Sequence, residues 1–393
     1  MIYMDHHATT PVLPEARDAM RPFFEQEFGN ASSASHAWGQ RAADAVRRAR
    51  GEVAALVGAR DPDEILFTAG ATESDNLAVR GAWEAAGGAG AHIIACAIEH
   101  EAVLETCHAL QRRGAEVTIL PVDRHGLVDP GDVRRALTAR TALVSLMMAN
   151  NEIGTIQPIA EVSVICRERG VLLHTDAVQA VGRIPVDVGL LGVDLMSLTA
   201  HKMYGPKGVG ALWLRPGVKL EPLMTGGGQE RGLRSGTLNV AGIVGFGAAA
   251  RACSRDMEAE ARRQAALRDR LWETLRRGLD GVALNGHPEL RLPNNLNVVI
   301  EGVEAEAVLT AMRGVAALSA GSACASSGRK GSYVVRALGG TDPDARARSS
   351  VRFGLGRANT EDDVDIVVKS LIEAVARLRA MAPAARGAVD ALS

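Results

Sequence analysis

One lysine, Lys202, lies between two largely apolar stretches of sequence and could act as a nucleophile. The stretches at residues 193–198 and 209–214 each have the composition of a buried strand. Lysine is rarely buried without a partner, because removing an ammonium group from water is costly. The same cost favours the neutral amine, which can form a Schiff base at neutral pH. The segment could instead be a loop whose lysine points to water, and these residues alone leave both interpretations open.

Other polar residues with reactive side chains also follow predicted strands. His100, Asn151 and Asp176 each come shortly after an apolar run, as Lys202 does. The segment 70–72 follows a strand too, and it opens a helix whose free amides and threonine hydroxyl suit a phosphate. Ligands of a parallel sheet bind beyond the carboxyl ends of its strands. We therefore expect these residues to share one cleft.

Each of these residues also has an ordinary structural explanation. Asp176 could cap a helix, His100 could be a hydrogen-bonded core histidine, and Asn151 could belong to a turn. These structural explanations are weaker when the residues are considered together, because a buried acid and a buried lysine in one cleft indicate an electrostatic role. An aspartate beneath a pyridinium nitrogen, with a lysine forming an imine, is the pattern expected for pyridoxal phosphate.

The elements that must position these residues alternate between short apolar strands and longer helical patterns. From residue 64 to residue 214 this alternation favours a mostly parallel sheet covered on both faces. Near residue 256 the alternation of strands and helices ends, and leucines recur at every fourth position of a charged helix from Leu267 to Leu279. We predict an α/β fold with a large domain at residues 15–255 and a small domain formed by residues 1–14 and 256–393.

Composition argues against several classes of protein. The chain of 393 residues has a formal net charge of -2 and 3% aromatic residues, so no nucleic-acid partner is expected. No segment approaches the ~20 apolar residues of a membrane helix, and no membrane partner is expected. Five cysteines form no C-x-x-C pair, which argues against a disulfide framework and for a reducing compartment. Because the N-terminus does not read as a signal peptide, we expect a cytoplasmic location.

Seven motifs, in their order along the chain, resemble those of cysteine desulfurases. They are residues 71–76 (ATESDN), 99–100 (EH), 150–154 (NNEIG), 174–179 (HTDAVQ), 201–208 (HKMYGPKG), 230–237 (ERGLRSGT) and 321–324 (GSAC). The likeness is to the NifS/IscS group of class-V aminotransferase-like enzymes and extends from residue 3 to about residue 378. It implies a fold-type I pyridoxal-phosphate-dependent transferase, with a mostly parallel seven-stranded sheet in the large domain and a smaller α+β C-terminal domain.

The resemblance implies a role for each matching residue. Lys202 is expected to bind the cofactor and later to move protons, Asp176 to keep the ring nitrogen protonated, and His100 to stack on the ring and shuttle protons. The residues expected to complete the cofactor site are Ala71, Thr72, Asn151, Gln179, Thr199, His201 and Thr237. Those expected to bind the substrate L-cysteine are Asn30, Asn151 and Arg352. Thr237 is expected to reach the phosphate of the neighbouring subunit, which implies a homodimer; no resident metal is expected.

Cys324 determines which reaction the resemblance implies. It lies in a segment of small residues beside Arg329 and Lys330, which favour a thiolate. The other cysteines are interpreted as small buried apolar side chains; they are Cys96, Cys107, Cys166 and Cys253. In the implied mechanism Lys202 removes the α proton of L-cysteine, Cys324 takes the sulfur as a persulfide, and L-alanine leaves. The persulfide sulfur would pass to a sulfur-acceptor protein of iron–sulfur cluster assembly or another thiolation pathway. Cys324 could also transiently ligate a cluster.

Some features leave the sulfur acceptor and the reaction open. Residues 329–331 replace a more acidic, proline-bearing segment of the family, and the C-terminal tail looks shorter than in members that bind an iron–sulfur scaffold there. The alternatives on the same fold are a selenocysteine lyase and an aminotransferase. A further alternative is a sulfur-relay or scaffold protein without catalysis. It predicts a missing lysine or cysteine, and this chain has both.

Overall fold

The computed structural model describes residues 1–320 and 331–381, and in these ranges twelve strands form three sheets. The strands are β1 (Ile2–Tyr3), β2 (Ile65–Thr68), β3 (His92–Cys96), β4 (Glu116–Leu120), β5 (Thr141–Ser145), β6 (Leu172–Asp176), β7 (Leu195–Thr199), β8 (Gly210–Leu214), β9 (Val282–Leu284), β10 (Asn295–Ile300), β11 (Ala316–Ala317) and β12 (Ser350–Gly354). The largest sheet has the order β2-β8-β7-β6-β5-β3-β4, and within it only β8 runs opposite to the other six strands. The predicted α/β fold with a mostly parallel seven-stranded sheet is confirmed.

Helices cover both faces of this sheet. The helices of the described ranges are α1 (Pro14–Met20), α2 (Pro22–Glu25), α3 (Ala37–Leu56), α4 (Ala71–Ala85), α5 (Glu101–Gln111), α6 (Pro130–Ala136), α7 (Ile159–Arg169), α8 (Val188–Leu191), α9 (Val240–Gly278), α10 (Ala305–Met312), α11 (Tyr333–Ala337), α12 (Pro343–Arg348) and α13 (Glu361–Met381). None of them combines the length and the apolar character needed to cross a bilayer.

Successive residues of a strand point to opposite faces of the sheet, and the apolar residues divide accordingly. Ile93 of β3 packs in one core with Leu77 of α4, whereas Ile94 packs in the other core with Val53 of α3 and Phe246 of α9. The strands are therefore apolar on both sides. This explains why their sequences are continuous hydrophobic runs rather than alternating ones.

A separate apolar core surrounds a three-stranded antiparallel sheet with the order β12-β10-β9. It combines Met4 of the N-terminal segment with Leu271 of α9, Val298 of β10 and Leu371 of α13. The boundary between residues 255 and 256 lies inside α9, which continues without a break from one core to the other. The division into two domains at that position stays a prediction.

The N-terminal segment crosses from the small sheet to the carboxyl edge of the large one. The backbone amide of His6 donates to the carbonyl oxygen of Gly354 at 3.1 Å. Further along, the amide of Thr10 donates to the carbonyl oxygen of His201 at 2.9 Å. Residues 5–10 thereby become part of the surroundings of Lys202.

Candidate active site

A cavity of about 870 Å³ lies at the carboxyl end of the parallel strands, the edge at which such sheets bind ligands. Residues that follow five strands, β2, β3, β5, β6 and β7, contribute to its lining. The predicted site residues that line it are Ala71, Thr72, His100, Asn151, Asp176, Gln179, Thr199, His201, Lys202 and Arg352. The fold therefore brings together side chains that lie up to 281 positions apart in the sequence, Ala71 and Arg352 being the extremes.

Lys202 is held in this cavity by backbone oxygens of the N-terminal segment. Its Nζ atom donates to the carbonyl oxygen of His7 at 2.5 Å and to that of Ala8 at 2.7 Å. Burial, followed by the positive charges of Arg352 and Arg183, lowers the pKa of the amine to about 8. The amine is therefore much easier to deprotonate than that of an exposed lysine.

Asp176 ends β6 and presents a carboxylate to the cavity. Its Oδ1 atom accepts a hydrogen bond from the backbone amide of Val178 at 2.9 Å. Burial raises the pKa of Asp176, whereas His100, the Val178 amide and Lys202 oppose that rise. Among the described residues no donor binds Oδ2, which leaves this oxygen available to a cationic donor in the cavity.

His100 both caps a helix and lines the cavity. It is the N-cap of α5, where its Nδ1 atom accepts from the backbone amide of Ala102 at 3.1 Å. A ring that accepts at Nδ1 carries its proton on Nε2 when it is neutral. The capping bond fixes the ring orientation, so the structural role and the predicted contact with a cofactor are compatible.

The N-terminus of α4 gives the cavity an end suited to an anion. Residues 70–72 line the cavity there, and the first-turn amides of a helix have no intrahelical acceptor. Gly210 of β8 allows this approach, because a Cβ atom at that position would lie 2.7 Å from the carbonyl carbon of Gly70. Thr199 and His201, which follow from β7, line the same cavity and complete a cradle for a phosphate group.

Arg352 connects two walls of the cavity and has an exposed fraction of only 1%. Its Nη1 atom donates to the backbone oxygen of Asn151 at 2.9 Å, and its Nη2 atom donates to the Asp5 carboxylate at 2.8 Å. The Asn151 side-chain oxygen is buried and has no hydrogen-bond partner among the described residues. A guanidinium group fixed in this way is suited to binding a carboxylate.

Several residues that shape the cavity were not identified from the sequence. His7 Nδ1 lies 2.8 Å from Gln179 Oε1, and Gln179 Nε2 donates to the His7 carbonyl oxygen at 3.1 Å. Arg183, which is buried, donates from Nη2 to the carbonyl oxygens of Lys202 at 2.9 Å and His6 at 3.1 Å. The only sequence signal for these contacts is the polar triplet at residues 5–7, directly after the first strand.

Two buried acids connect the cavity wall to α11. The Glu152 carboxylate accepts from the hydroxyl of Ser332 at 2.5 Å, and the Glu99 carbonyl oxygen accepts from the hydroxyl of Tyr333 at 2.5 Å. Burial raises the pKa of Glu99 to about 8 and raises that of Glu152 as well. The chain that follows residue 330 is therefore bound to the residues next to His100 and Asn151.

Three of the predicted site residues do not line the cavity of the described chain. Cys324 lies outside the described residues. Asn30 is exposed, and its side-chain oxygen accepts from the backbone amide of Ser32 at 2.9 Å. Thr237 is exposed in the segment that precedes α9. The roles expected for these three residues stay predictions.

The arrangement fits pyridoxal phosphate. An amine with a lowered pKa, a carboxylate with an available oxygen and a helix N-terminus are the groups that the aldehyde, the ring nitrogen and the phosphate of this cofactor require. Among the described residues no cluster of side chains suits a metal ion.

Comparison with known proteins identifies the family. Residues 2–367 match the family model of class-V aminotransferases. The cysteine desulfurase IscS of Anaeromyxobacter dehalogenans is 53% identical over 384 residues, which cover 97% of this chain and 94% of the relative. The human relative, named cysteine desulfurase, is 47% identical over 97% of this chain and 83% of its own length. The chain belongs to the cysteine desulfurases.

A solved structure agrees with this assignment. A protein described as NifS-like superposes with a TM-score of 0.89 at 36% identity, over 96% of this chain and 99% of that protein. The family resemblance, the fold type and the enzyme class predicted from the sequence are thus confirmed. Cysteine desulfurases of the class-V aminotransferase family depend on pyridoxal phosphate, so the predicted cofactor is confirmed too.

Proposed function

We propose that this cysteine desulfurase removes the sulfur atom of L-cysteine, releases L-alanine and retains the sulfur as a persulfide on Cys324. The observation that carries the proposal is the shared cavity of Lys202, Asp176 and Arg352. An amine that deprotonates easily, a carboxylate and a fixed guanidinium are the groups that amino-acid chemistry at the α carbon needs.

The cavity residues would divide the binding of the cofactor among them. Pyridoxal phosphate, when bound, supplies a ring that withdraws electrons from the α carbon of an amino-acid substrate. The α4 N-terminus with Thr72, Thr199 and His201 would hold the phosphate, and Asp176 would accept from the ring nitrogen. Burial lowers the pKa of His201 to about 4, so it would act as a neutral hydrogen-bond donor.

Lys202 is the residue we propose to move protons. The carbonyl oxygens of His7 and Ala8 hold its amine on one side, so that the amine has a defined position in the cavity. With a pKa of about 8 the amine both accepts and releases a proton readily near neutral pH. This is the property that general acid–base catalysis requires.

Substrate orientation and sulfur removal would involve Arg352 and Cys324. Arg352 would bind the carboxylate of L-cysteine and Asn151 would assist it. The thiolate of Cys324 would attack the substrate sulfur, so that a sulfur–sulfur bond forms while the carbon–sulfur bond breaks. The electron pair of the broken bond stays with the substrate carbon, which is then protonated. L-cysteine and one protein thiol thus give L-alanine and one persulfide, and no outside oxidant is needed.

The proposal also includes a sulfur acceptor, a homodimeric state and a cytoplasmic location. A sulfur-acceptor protein of iron–sulfur cluster assembly or another thiolation pathway would take the persulfide sulfur. A homodimer is supported by three large apolar side chains, Phe24, Phe28 and Trp38, which are 66%, 70% and 49% exposed in the single chain. A cytoplasmic location is supported by the four described cysteines, which are all free and buried.

The test is to incubate the purified protein, loaded with pyridoxal phosphate, with L-cysteine or L-selenocysteine, with and without a keto acid. We expect L-alanine from L-cysteine without a keto acid, together with one added sulfur atom on the protein in mass spectra. Product formation that requires the keto acid would indicate an aminotransferase. Turnover of L-selenocysteine alone would indicate a lyase, and no turnover of any substrate would indicate a relay protein.

A further inference from the structure

Asp75 is a buried carboxyl group beneath the cavity that has no counter-ion. It lies on α4, its exposed fraction is 1%, and it lines the cavity together with Asp176. Neither of its carboxyl oxygens has a hydrogen-bond partner among the described residues. An isolated carboxylate in such surroundings is highly unfavourable, because nothing compensates for its loss of hydration.

The imidazole of His174, which lies near Asp75, does not supply the missing positive charge. His174 Nε2 lies 3.7 Å from Asp75 Oδ1, which is beyond hydrogen-bonding distance. Its two ring nitrogens instead face the hydroxyls of Ser145 at 2.8 Å and Ser197 at 3.0 Å. A neutral imidazole, donating at one nitrogen and accepting at the other, satisfies both hydroxyls. Burial lowers the pKa of His174 to about 3, in agreement with a neutral ring.

Asp75 and Asp176 differ in what surrounds them, and the difference decides which of the two is ionised. Asp176 has the Val178 amide, and it has His100 and Lys202 on its side of the cavity. Asp75 faces two further acids, Asp176 and Glu99; burial and then the charge of Asp176 raise its pKa well above the usual range, and the nearby Ser197 hydroxyl offsets only part of that rise. Adjacent buried carboxyl groups do not both ionise, and the one with the weaker donors and no nearby positive charge keeps the proton.

We propose that Asp75 is a positioning residue that stays protonated, so that the single negative charge of this pair of carboxyl groups remains on Asp176. As a neutral acid Asp75 adds no second negative charge next to Asp176. It stands on the first turns of α4, the helix whose N-terminus forms the phosphate end of the cavity. The assignment rests on the proposed role of Asp176, but its test below does not depend on catalysis.

Infrared spectroscopy of the cofactor-free protein tests the protonation state directly. A protonated carboxyl group has a C=O stretching band that a carboxylate lacks. The spectrum of the wild type minus that of Asp75→Asn at pH 7 should contain this band, whereas the same difference for the helical Asp44→Asn, whose side chain is 50% exposed, should not. Glu152 is present in both proteins and cancels, and repeating the difference at pH 5.5, well below the raised pKa of Glu99, keeps Glu99 protonated in both proteins. An Asp75 difference spectrum that contains only carboxylate bands would overturn the proposal.

The pH dependence of unfolding gives a second measurement on the same proteins. A carboxyl group whose pKa is raised on folding binds more protons in the folded state, so it contributes less stability as pH rises above its unfolded pKa. Asn at position 75 is neutral at every pH and removes this loss. The unfolding constant of the wild type relative to Asp75→Asn should therefore increase by up to about tenfold per pH unit between pH 5 and pH 7.

A ratio that is constant over this range would show that Asp75 ionises normally, and it would overturn the proposal. If Asp75→Asn does not fold, Asp75→Ser provides the same two comparisons with a smaller neutral side chain. Failure of these measurements would leave cysteine desulfuration untouched. Conversely, a protein without desulfurase activity could still show a protonated Asp75.

Discussion

The side-chain amine of Lys202 lies 2.5 Å from the carbonyl oxygen of His7, a residue 195 positions earlier in the chain. Together with the bond to Ala8 at 2.7 Å, this contact fixes the amine at the junction of the N-terminal segment and the end of β7. The reactive position thus depends on how the first residues pack against the large sheet. It is not a property of the lysine segment alone.

Replacing Lys202 with alanine should abolish the visible absorption of the purified protein, because the amine is the group proposed to bind the cofactor covalently. Lys207→Ala is the matched control, since Lys207 lines the same cavity but is exposed. We expect that control to keep the absorption. An unchanged spectrum for Lys202→Ala would disprove the Schiff-base assignment.

The amine of Lys202 should titrate near pH 8 in the cofactor-free protein. Because this pKa is below that of an unfolded lysine, the folded state binds fewer protons between pH 8 and about pH 10.4, so the contribution of Lys202 to stability increases with pH in that window. The free energy of unfolding of the wild type relative to Lys202→Met should rise by up to about 1.4 kcal/mol per pH unit there. A difference that does not change with pH would contradict the lowered pKa.

Arg183 should contribute to that lowered pKa, since its guanidinium binds the Lys202 carbonyl oxygen, and its Nε and Nη1 atoms have no hydrogen-bond partner among the described residues. Arg183→Met should raise the midpoint of the Lys202 titration, and Arg183→Lys, which keeps the charge, should preserve it. Competitive acetylation read by mass spectrometry at a series of pH values measures both midpoints. Equal midpoints in all three proteins would exclude an electrostatic role for Arg183.

Arg352→Lys should raise KM for L-cysteine about tenfold or more, because an ammonium group cannot reproduce a planar two-pronged contact with a carboxylate. Cofactor absorption should remain, since Arg352 is proposed to bind the substrate. Arg348→Lys, an exposed change on α12, is the control and should leave KM unchanged. Steady-state kinetics of alanine release would reveal a substrate role elsewhere if both variants matched the wild type.

Cys324→Ser should keep the cofactor colour but lose the persulfide that forms after incubation with L-cysteine. Mass spectrometry of the intact protein and of its peptides detects and locates the added sulfur. Cys166→Ala removes a buried thiol far from any predicted role and should retain the persulfide. If sulfide release with a thiol reductant is undiminished in Cys324→Ser, the acceptor thiol lies elsewhere.

Mixed dimers should reveal whether Thr237 acts across a subunit boundary. In a dimer of one Lys202→Ala subunit and one Thr237→Ala subunit, one site keeps both residues only if Thr237 serves the neighbouring subunit. Random mixing should then restore about a quarter of the wild-type sites. Alanine release measured before and after mixing provides the readout, and the absence of any gain would place Thr237 within its own subunit or outside the site.

The convergence of His100, Asp176 and Lys202 could be predicted because each follows a continuous apolar run, and parallel strands end at a common edge. The local sequence pattern was therefore enough to predict that these three side chains share one site. Contacts such as Lys202 with His7, or Arg352 with Asp5, had no such signal. They join distant segments through tertiary packing, and the residues before the first long helix carry no periodic pattern.

Asp75 illustrates a different limit of sequence reasoning. Its position reads as one polar residue of an amphipathic helix, and only the packing of α4 against β6 brings it close to Asp176. Similarly, the first half of α9 is rich in glycine and alanine and does not read as part of a long helix. Its packing on α3 compensates for that weak propensity, since a Cβ atom at Gly247 would lie 2.6 Å from the Cα atom of Ala49.

The 39 residues of α9 form a rod about 58 Å long, with one end embedded in the core of the large sheet and the other in the core of the small sheet. Neither core can turn relative to the other unless this rod bends or one end loses its packing. Arg352, on the small sheet, and Lys202, on the large one, are thereby kept at a nearly constant separation.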